Sequence, residues 1–288
     1  MFMFNKEKKD YIISLYDFTA EAEVALNHAT LIAGQTGNEV KLLHIINSET
    51  KYKLKKIDSD EETVFHALKE VAERNALETK VPTSYHAFEG SIFTSISDYT
   101  AELGAVLIVL GTPGVKGMQH IVGAHSMRVI LSAPVPVIVV QKTKANYHGY
   151  KKIVIPVDYS SLGKNKIDNA IAIAKYFKSE VVLFKSGETD GYLSEVVKNN
   201  LTHAKFLLKV DNIPNTLVEE NMYEGSFSRQ IIELAVEHNA DLLVISSEHK
   251  SDSMKDLFFG LHEVDIINNE AEIAVMCVNP IEERDDEE

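Results

Sequence analysis

A single cysteine, Cys277, stands in the 288 residues of the chain, so no internal disulfide can brace the fold. It lies within the apolar run from Ile273 to Val278, where a small buried hydrophobe is the expected role. Positive charge is also scarce. Against 43 Asp and Glu there are 29 Lys and Arg, a formal net charge of −14. Phosphate-backbone binding needs clustered cations, so neither nucleic acid nor an anionic membrane is expected as a partner. Long apolar runs are missing too. The start, MFMFNKEKKDY, lacks a continuous apolar segment, and no later run would span a bilayer. A cytoplasmic protein is expected. Finally, there is no lysine–serine phosphate loop, no recognisable activated Ser or Cys nucleophile and no metal-ligand spacing. Enzymatic activity is not expected.

What is present is a repeat. The apolar segment YIISLYDF at 11–18 recurs as KIVIPVDY at 152–159, each with an Asp near its end (Asp17, Asp158). Glu89-Gly90-Ser91 recurs as Glu224-Gly225-Ser226, AVLIVLG from Ala105 as ADLLVIS from Ala240, and PVIVV at 136–140 as AVMCV at 274–278. The matches keep their order and a nearly constant offset, as duplicated domains do. A length of 288 residues suits two domains of ordinary size. Their expected bounds are 1–142 and 151–281, with a polar linker over Gln141–Lys151 and an acidic tail over 282–288.

Each copy alternates strand and helix. Leu42–Ile46 and Val106–Leu110 are short runs without polar alternation, as in parallel strands covered on both faces. Thr19 is placed to cap a helix whose stripe is Ala22, Leu26, Ala29 and Ala33, with Gly37 as its stop. In the second copy Ser160 or Ser161 caps a stripe of Ile167, Ile171 and Ala174. Ser59 and Glu62 read as a capping box ahead of Val64, Leu68 and Val71. Ile92, Ile96, Tyr99 and Leu103 form another stripe, stopped by Gly104, and Phe227, Ile231, Leu234 and His238 are its counterparts. This order implies an α/β fold with a parallel, doubly wound sheet in each half. Ligands of such sheets bind beyond the strands' carboxyl ends, where Asp17 and Asp158 fall.

With the stretch GTPGVKGMQHIVGAHS from Gly111 to Ser126, the strand VKLLHII at 40–46 and the closing PVIVV, the chain resembles tandem universal stress proteins of the UspA-like family. The resemblance covers nearly all of both halves. It implies two Rossmann-like domains of the adenine nucleotide alpha hydrolase type, each five-stranded in the order 3-2-1-4-5. It further implies an ATP-type nucleotide with Mg²⁺ in the first copy, and a nucleotide-responsive binding or regulatory role in stress. In that reading Asp17 accepts from the adenine or neighbouring polar groups, and backbone groups at Ile45 complete base recognition. Gly111, Gly114 and Gly123, with Ala124, His125 and Ser126 opening the next helix, would hold ribose and phosphates. Glycines let backbone amides come close, and a helix N-terminus receives anions.

This chain departs from the family pattern in places. Eight residues, Val115 to Val122, separate Gly114 from Gly123, where the pattern has nine. Ala124 stands where Ser or Thr is usual, with Ser126 two residues on. In the second copy Ser246 and His249 replace the first two glycines, Leu261 follows Gly260, and Glu248, Asp252 and Asp256 bring carboxylates that oppose a triphosphate. That copy reads as a degenerate, structural one.

Other roles stay open. Asp17 equally suits capping of the first helix, and the glycines equally suit turns. His125 and His262 hold matching positions, as inherited surface residues or as an anion-sensing pair; His44, His120 and His249 show no metal pattern, and Lys116 suits solvent or phosphate. A scaffold without nucleotide, a weak ATPase and a site for another small ligand are the alternatives. The stretch FTAEAE after Asp17 lacks the Gly/Ser cluster of ATP pyrophosphatases. The two apolar closing strands are expected to pair with each other, antiparallel, because an exposed apolar edge aggregates. A homodimer would then use another surface.

Overall fold

Ile12 and Ile13 are both fully buried, although neighbours on a strand point to opposite faces. Only a sheet covered on both sides accommodates that pattern. The structure, a computed structural model, describes residues 10–90, 92–113, 124–141, 148–158, 163–185, 191–219, 225–247 and 261–279. The first copy runs β1 (Tyr11–Leu15), α1 (Ala20–Thr36), β2 (Glu39–Ile46), α2 (Ser48–Lys56), α3 (Glu61–Thr79), β3 (Thr83–Glu89), α4 (Ile92–Leu103), β4 (Ala105–Thr112), α5 (Ala124–Ser132) and β5 (Val137–Gln141). The second runs β6 (Lys152–Val157), α6 (Gly163–Phe177), β7 (Glu180–Lys185), α7 (Gly191–Val210), β8 (Asn215–Glu219), α8 (Phe227–Glu237), β9 (Leu242–Ser246), α9 (Leu261–Ile267) and β10 (Ala274–Val278).

The described strands form one ten-stranded sheet in the order β3-β2-β1-β4-β5-β10-β9-β6-β7-β8. Each half keeps the order 3-2-1-4-5 and is parallel throughout. The halves meet where β5 and β10 pair antiparallel, Val139 opposite Val275 and Val137 opposite Cys277. The apolar edges expected to cover each other therefore do so. Cys277 lies in this seam, fully buried, and burial pushes its thiol pKa far up. It is a core hydrophobe.

Each face of the sheet carries a continuous core. One packs residues of α1, α3, α6 and α7 on Ile12, Leu107, Ile138 and Met276; the other packs α4, α5, α8 and α9 on Ile13, Ile108, Val139 and Val275. Both cores run through both copies, so the seam joins them in depth as well as in hydrogen bonding.

Two side-chain amides finish the seam. Gln141, ending β5, donates from Nε2 to the carbonyls of Ile267 (3.1 Å) and Asn269 (3.0 Å) at the end of α9. Asn279, in the corresponding place after β10, donates from Nδ2 to Ile130 (2.7 Å) and Ala133 (2.8 Å) at the end of α5. The last carbonyls of a helix have no partner within it. Each copy thus supplies the amide that caps the other copy's last helix.

A second tie crosses on the α1–α6 side. The His28 ring lies 2.7 Å from the Tyr150 hydroxyl, both buried, and Tyr150 meets Phe177 edge-on at 5.2 Å. Gly149 takes φ 82° beneath that ring, where a Cβ would come 2.4 Å from the Phe177 ring.

Local expectations divide. Thr19 caps α1 by accepting from Ala22 N, and Gly37 ends it at φ 76°. Gly104, at φ 66°, follows α4. The Ser59–Glu62 capping box does not form. Asp60 takes the N-cap place of α3, and the Ser59 hydroxyl bonds Thr63 instead. α2 was not expected at all: in SETKYKLKK only Leu54 is buried, too little for a periodic stripe. Ser160 and Ser161 lie outside the described residues, as does the acidic tail.

Replacing Asn279 or Gln141 by Ala should each cost about 1–3 kcal/mol, because buried carbonyls lose their donors. Urea unfolding should show this as a lower midpoint of a single transition. A loss below about 0.5 kcal/mol would show the caps to be idle.

Candidate functional site

The crevice expected to carry function opens where β1 gives way to α1. Leu15 ends the strand, and two residues later the exposed Asp17 turns its carboxylate back, accepting from Thr19 N at 3.1 Å and from the Thr19 hydroxyl. Thr19 in turn caps α1. Asp17 thus holds the strand-to-helix turn, as the simpler of its two readings requires, with its carboxylate still facing solvent. Phe18 between them takes φ 64°, a left-handed conformation that costs a side-chain-bearing residue about 1–2 kcal/mol. Its ring rests on Tyr16 and His44, with centroids 5.3 and 5.2 Å apart.

His44, which shows no metal pattern in the sequence, takes a positioning role here. From β2 its Nδ1 reaches the Tyr16 carbonyl at 2.7 Å and its Nε2 the Thr50 hydroxyl at 3.1 Å. A carbonyl only accepts, so Nδ1 carries the hydrogen, and in the neutral ring Thr50 donates to Nε2. The imidazole thereby ties the exit of β1 to α2, which Asn47 caps. Ile45, beside it, is buried, and its carbonyl accepts from Asn47 N at 3.0 Å. Burial is the main reason the His44 pKa lies below its ordinary 6.5, opposed by the Tyr16 carbonyl and by Asp17.

The end of β4 closes the other side. A methyl on Gly111 would sit 2.2 Å from the Glu21 carbonyl oxygen, so glycine is required there for the strand end to lie against the first turn of α1. Four small residues, Ala22, Ala25, Ala29 and Ala33, continue that close approach, all buried. Asp17, through Thr19, and Gly111, through Glu21, therefore meet at one helix start. Next to Gly111, the Thr112 hydroxyl is buried and has no hydrogen-bond partner among the described residues. Gly114 and Gly123 lie outside the described residues, with Lys116, His120, Glu248, His249, Asp252 and Asp256. Ala124 and His125 open α5, and Ser126 follows in its first turn, half-buried. No acidic residue occupies that turn, whereas Glu263 stands in the first turn of α9, after Leu261 and His262.

The second crevice is built differently. Lys166, which is 2% exposed, extends from α6 to 3.8 Å from the Asp158 carboxylate. Asn200 of α7 donates to the Asp158 carbonyl at 2.8 Å. Beside them a cavity of about 20 Å³, lined also by Ile167 and His203, has room for about one water. Where α1 presents small Ala25 toward its sheet, the repeat places Lys166. The acid at the second strand exit carries a built-in counter-ion.

A family model described as "Universal stress protein family" matches residues 10–141 and again 149–279. The chain belongs to the universal stress protein family. Among solved structures, a universal stress protein from Archaeoglobus fulgidus DSM 4304 superposes with TM-score 0.76 at 15% identity, over 94% of this chain and 99% of that one. One from Pseudomonas aeruginosa UCBPP-PA14, itself named a putative member, gives 0.65 at 18%, over 96% and 95%. The cytoplasmic domain of a prokaryotic cation chloride cotransporter gives 0.56 at 14%, over 96% and 97%. At these identities the likeness shows the fold alone. No curated protein matches the sequence.

Within this universal stress protein no three His, Cys, Asp or Glu side chains converge on a metal position among the described residues, and no described helix is long and apolar enough to cross a membrane.

His44 makes stability depend on pH. With its folded pKa depressed, the unfolded chain takes up the proton first, so stability is full above about 6.5 and falls as pH drops toward the folded value. His86, also lowered by burial, adds in the same direction. Urea midpoints at about pH 7.5 and about pH 5 should fall less in His44→Asn than in the parent; equal losses would remove His44 from the account.

Proposed function

We propose that the first crevice binds an ATP-type adenine nucleotide with Mg²⁺, and that the protein is a nucleotide-responsive binding and regulatory module of the stress response. The observation that carries this reading is the grouping of Asp17, the His44–Ile45 end of β2 and Gly111 around the turn from β1 to α1. The residues suit the group. Asp17 offers an acceptor to a base amine, the Thr112 hydroxyl, without a partner among the described residues, lies at the strand end, and α5 begins without acid in its first turn. Glu21 and Glu23 in the first turn of α1 repel phosphates, which directs them to α5 instead. The nucleotide would bring Mg²⁺ on its phosphates. The second copy, with Asp158 countered by Lys166, serves as structural partner. The same reading has the protein act in the cytoplasm as a homodimer through a surface other than the seam.

A scaffold without nucleotide is the second reading. It draws on Asp17 being engaged with Thr19, and on Gly111 being required by packing whether or not a ligand binds.

Calorimetric titration with Mg-ATP separates the two. Saturable binding near one site per chain, weakened about tenfold or more in Asp17→Ala and in Gly123→Val, is the expected result. Absence of saturable binding would establish the scaffold, and phosphate release above background would establish a weak ATPase.

A further inference from the structure

At the other end of α1 the two copies enclose a cleft of about 270 Å³. Leu31 and Gln35 come from the last turns of α1, Tyr176 and Lys178 from the end of α6, and His148 and Lys151 from the linker. With 17 residues, α1 spans about 25 Å, so this cleft is well removed from the crevice at the helix start. Neither copy alone makes it.

Its charge runs against the molecule. The chain carries −14 overall, yet among the described residues no Asp or Glu lines the cleft, and none occurs in the sequence from 141 to 152; the Asp241 carboxylate near it accepts from the backbone N–H groups of Lys151 and Lys152. Three basic side chains line it, His148 and Lys151 from the linker and Lys178 from the end of α6. Lys151 is anchored by donating from Nζ to the Phe177 carbonyl at 2.9 Å, which satisfies the end of α6 and leaves two N–H groups of the ammonium. Lys178 and Gln35 have no hydrogen-bond or ion-pair partner among the described residues. Phe177, which lines the cleft, packs edge-on against buried Tyr150, whose hydroxyl meets His28 and whose carbonyl accepts from the Ser179 hydroxyl. Leu31 and Tyr176 give one wall apolar and aromatic surface. A pre-formed cleft between domains, part apolar with a few convergent polar groups, is the usual setting of a small-ligand site.

We propose that this cleft binds a small phosphate monoester, its dianionic head among Lys151, Lys178 and His148 and its organic part against Tyr176 and Leu31. The assignment does not depend on nucleotide binding in the first crevice.

The test is an NMR titration of the full chain with phenyl phosphate and, separately, inorganic phosphate. Saturable shifts at Gln35 and Lys178, tighter for phenyl phosphate, are expected, and Gly123→Val should leave them unchanged. Lys178→Asn should weaken binding about threefold or more, while Lys178→Arg keeps it. Asparagine suits the φ of 54° at this position, so the fold survives the change. Lys80→Asn, at a comparable exposed site with φ 63°, should have no effect. Shifts confined to the start of α5, equal affinity for the two anions, or equal loss in the Lys80 variant would each overturn the proposal.

Discussion

The antiparallel pairing of β5 with β10 is the constraint on which the rest of this molecule depends. Two parallel sheets of five strands would each leave a very apolar closing strand at an edge, and an unpaired apolar edge invites association with other chains. Here each edge covers the other within one chain. The amides of Gln141 and Asn279 then cross to cap the opposite copy's last helix. Since α5 follows the glycine-rich segment, its position rests on a residue of the second copy. Asn279 also accepts from the Ser247 hydroxyl at the end of β9, and its carbonyl accepts from Asn165 of α6. One side chain links the first copy's helix to the second copy's crevice.

The two copies differ at their crevices. In the first, the strand exit keeps Asp17 in contact with solvent, the Thr112 hydroxyl stays without a partner among the described residues, and α5 starts without acid. In the second, Lys166 neutralises Asp158 from within, Ser247 bonds Asn279, and Glu263 sits at the helix start. The same scaffold thus offers one crevice whose acid faces solvent and one whose acid carries a counter-ion, while the Ser246 hydroxyl at the end of β9 is, like that of Thr112, buried without a partner among the described residues. The joint between copies adds a cationic cleft that a single copy would lack.

Much of this was legible in the residues. Repeated apolar segments gave the two copies, because strands buried on both faces leave continuous apolar runs, and the family resemblance gave the strand order. Thr19, Gly37 and Gly104 announced helix ends through chemistry that acts locally. What the residues do not announce depends on contacts distant in sequence. Nothing in LLHII tells that His44 will meet Tyr16 and Thr50, and nothing around Gln141 or Asn279 tells that their amides cap a helix of the other copy. Gly111 suits room for a ligand or a turn by sequence, and the structure gives it a packing duty against Glu21. The capping box at Ser59 failed because Asp60, one residue later, takes the cap position. Nothing in the sequence marks Lys166 for burial, since burial of an ammonium follows only from the fold.

Amide hydrogen exchange along β5 and β10 tests the seam most directly. If the two copies form one unit, amides of Val137–Gln141 and Ala274–Val278 that face the partner strand will exchange as slowly as those of central β1 and β4, through global unfolding. Exchange there as fast as in the edge strands β3 and β8, with two separate unfolding transitions, would contradict the account.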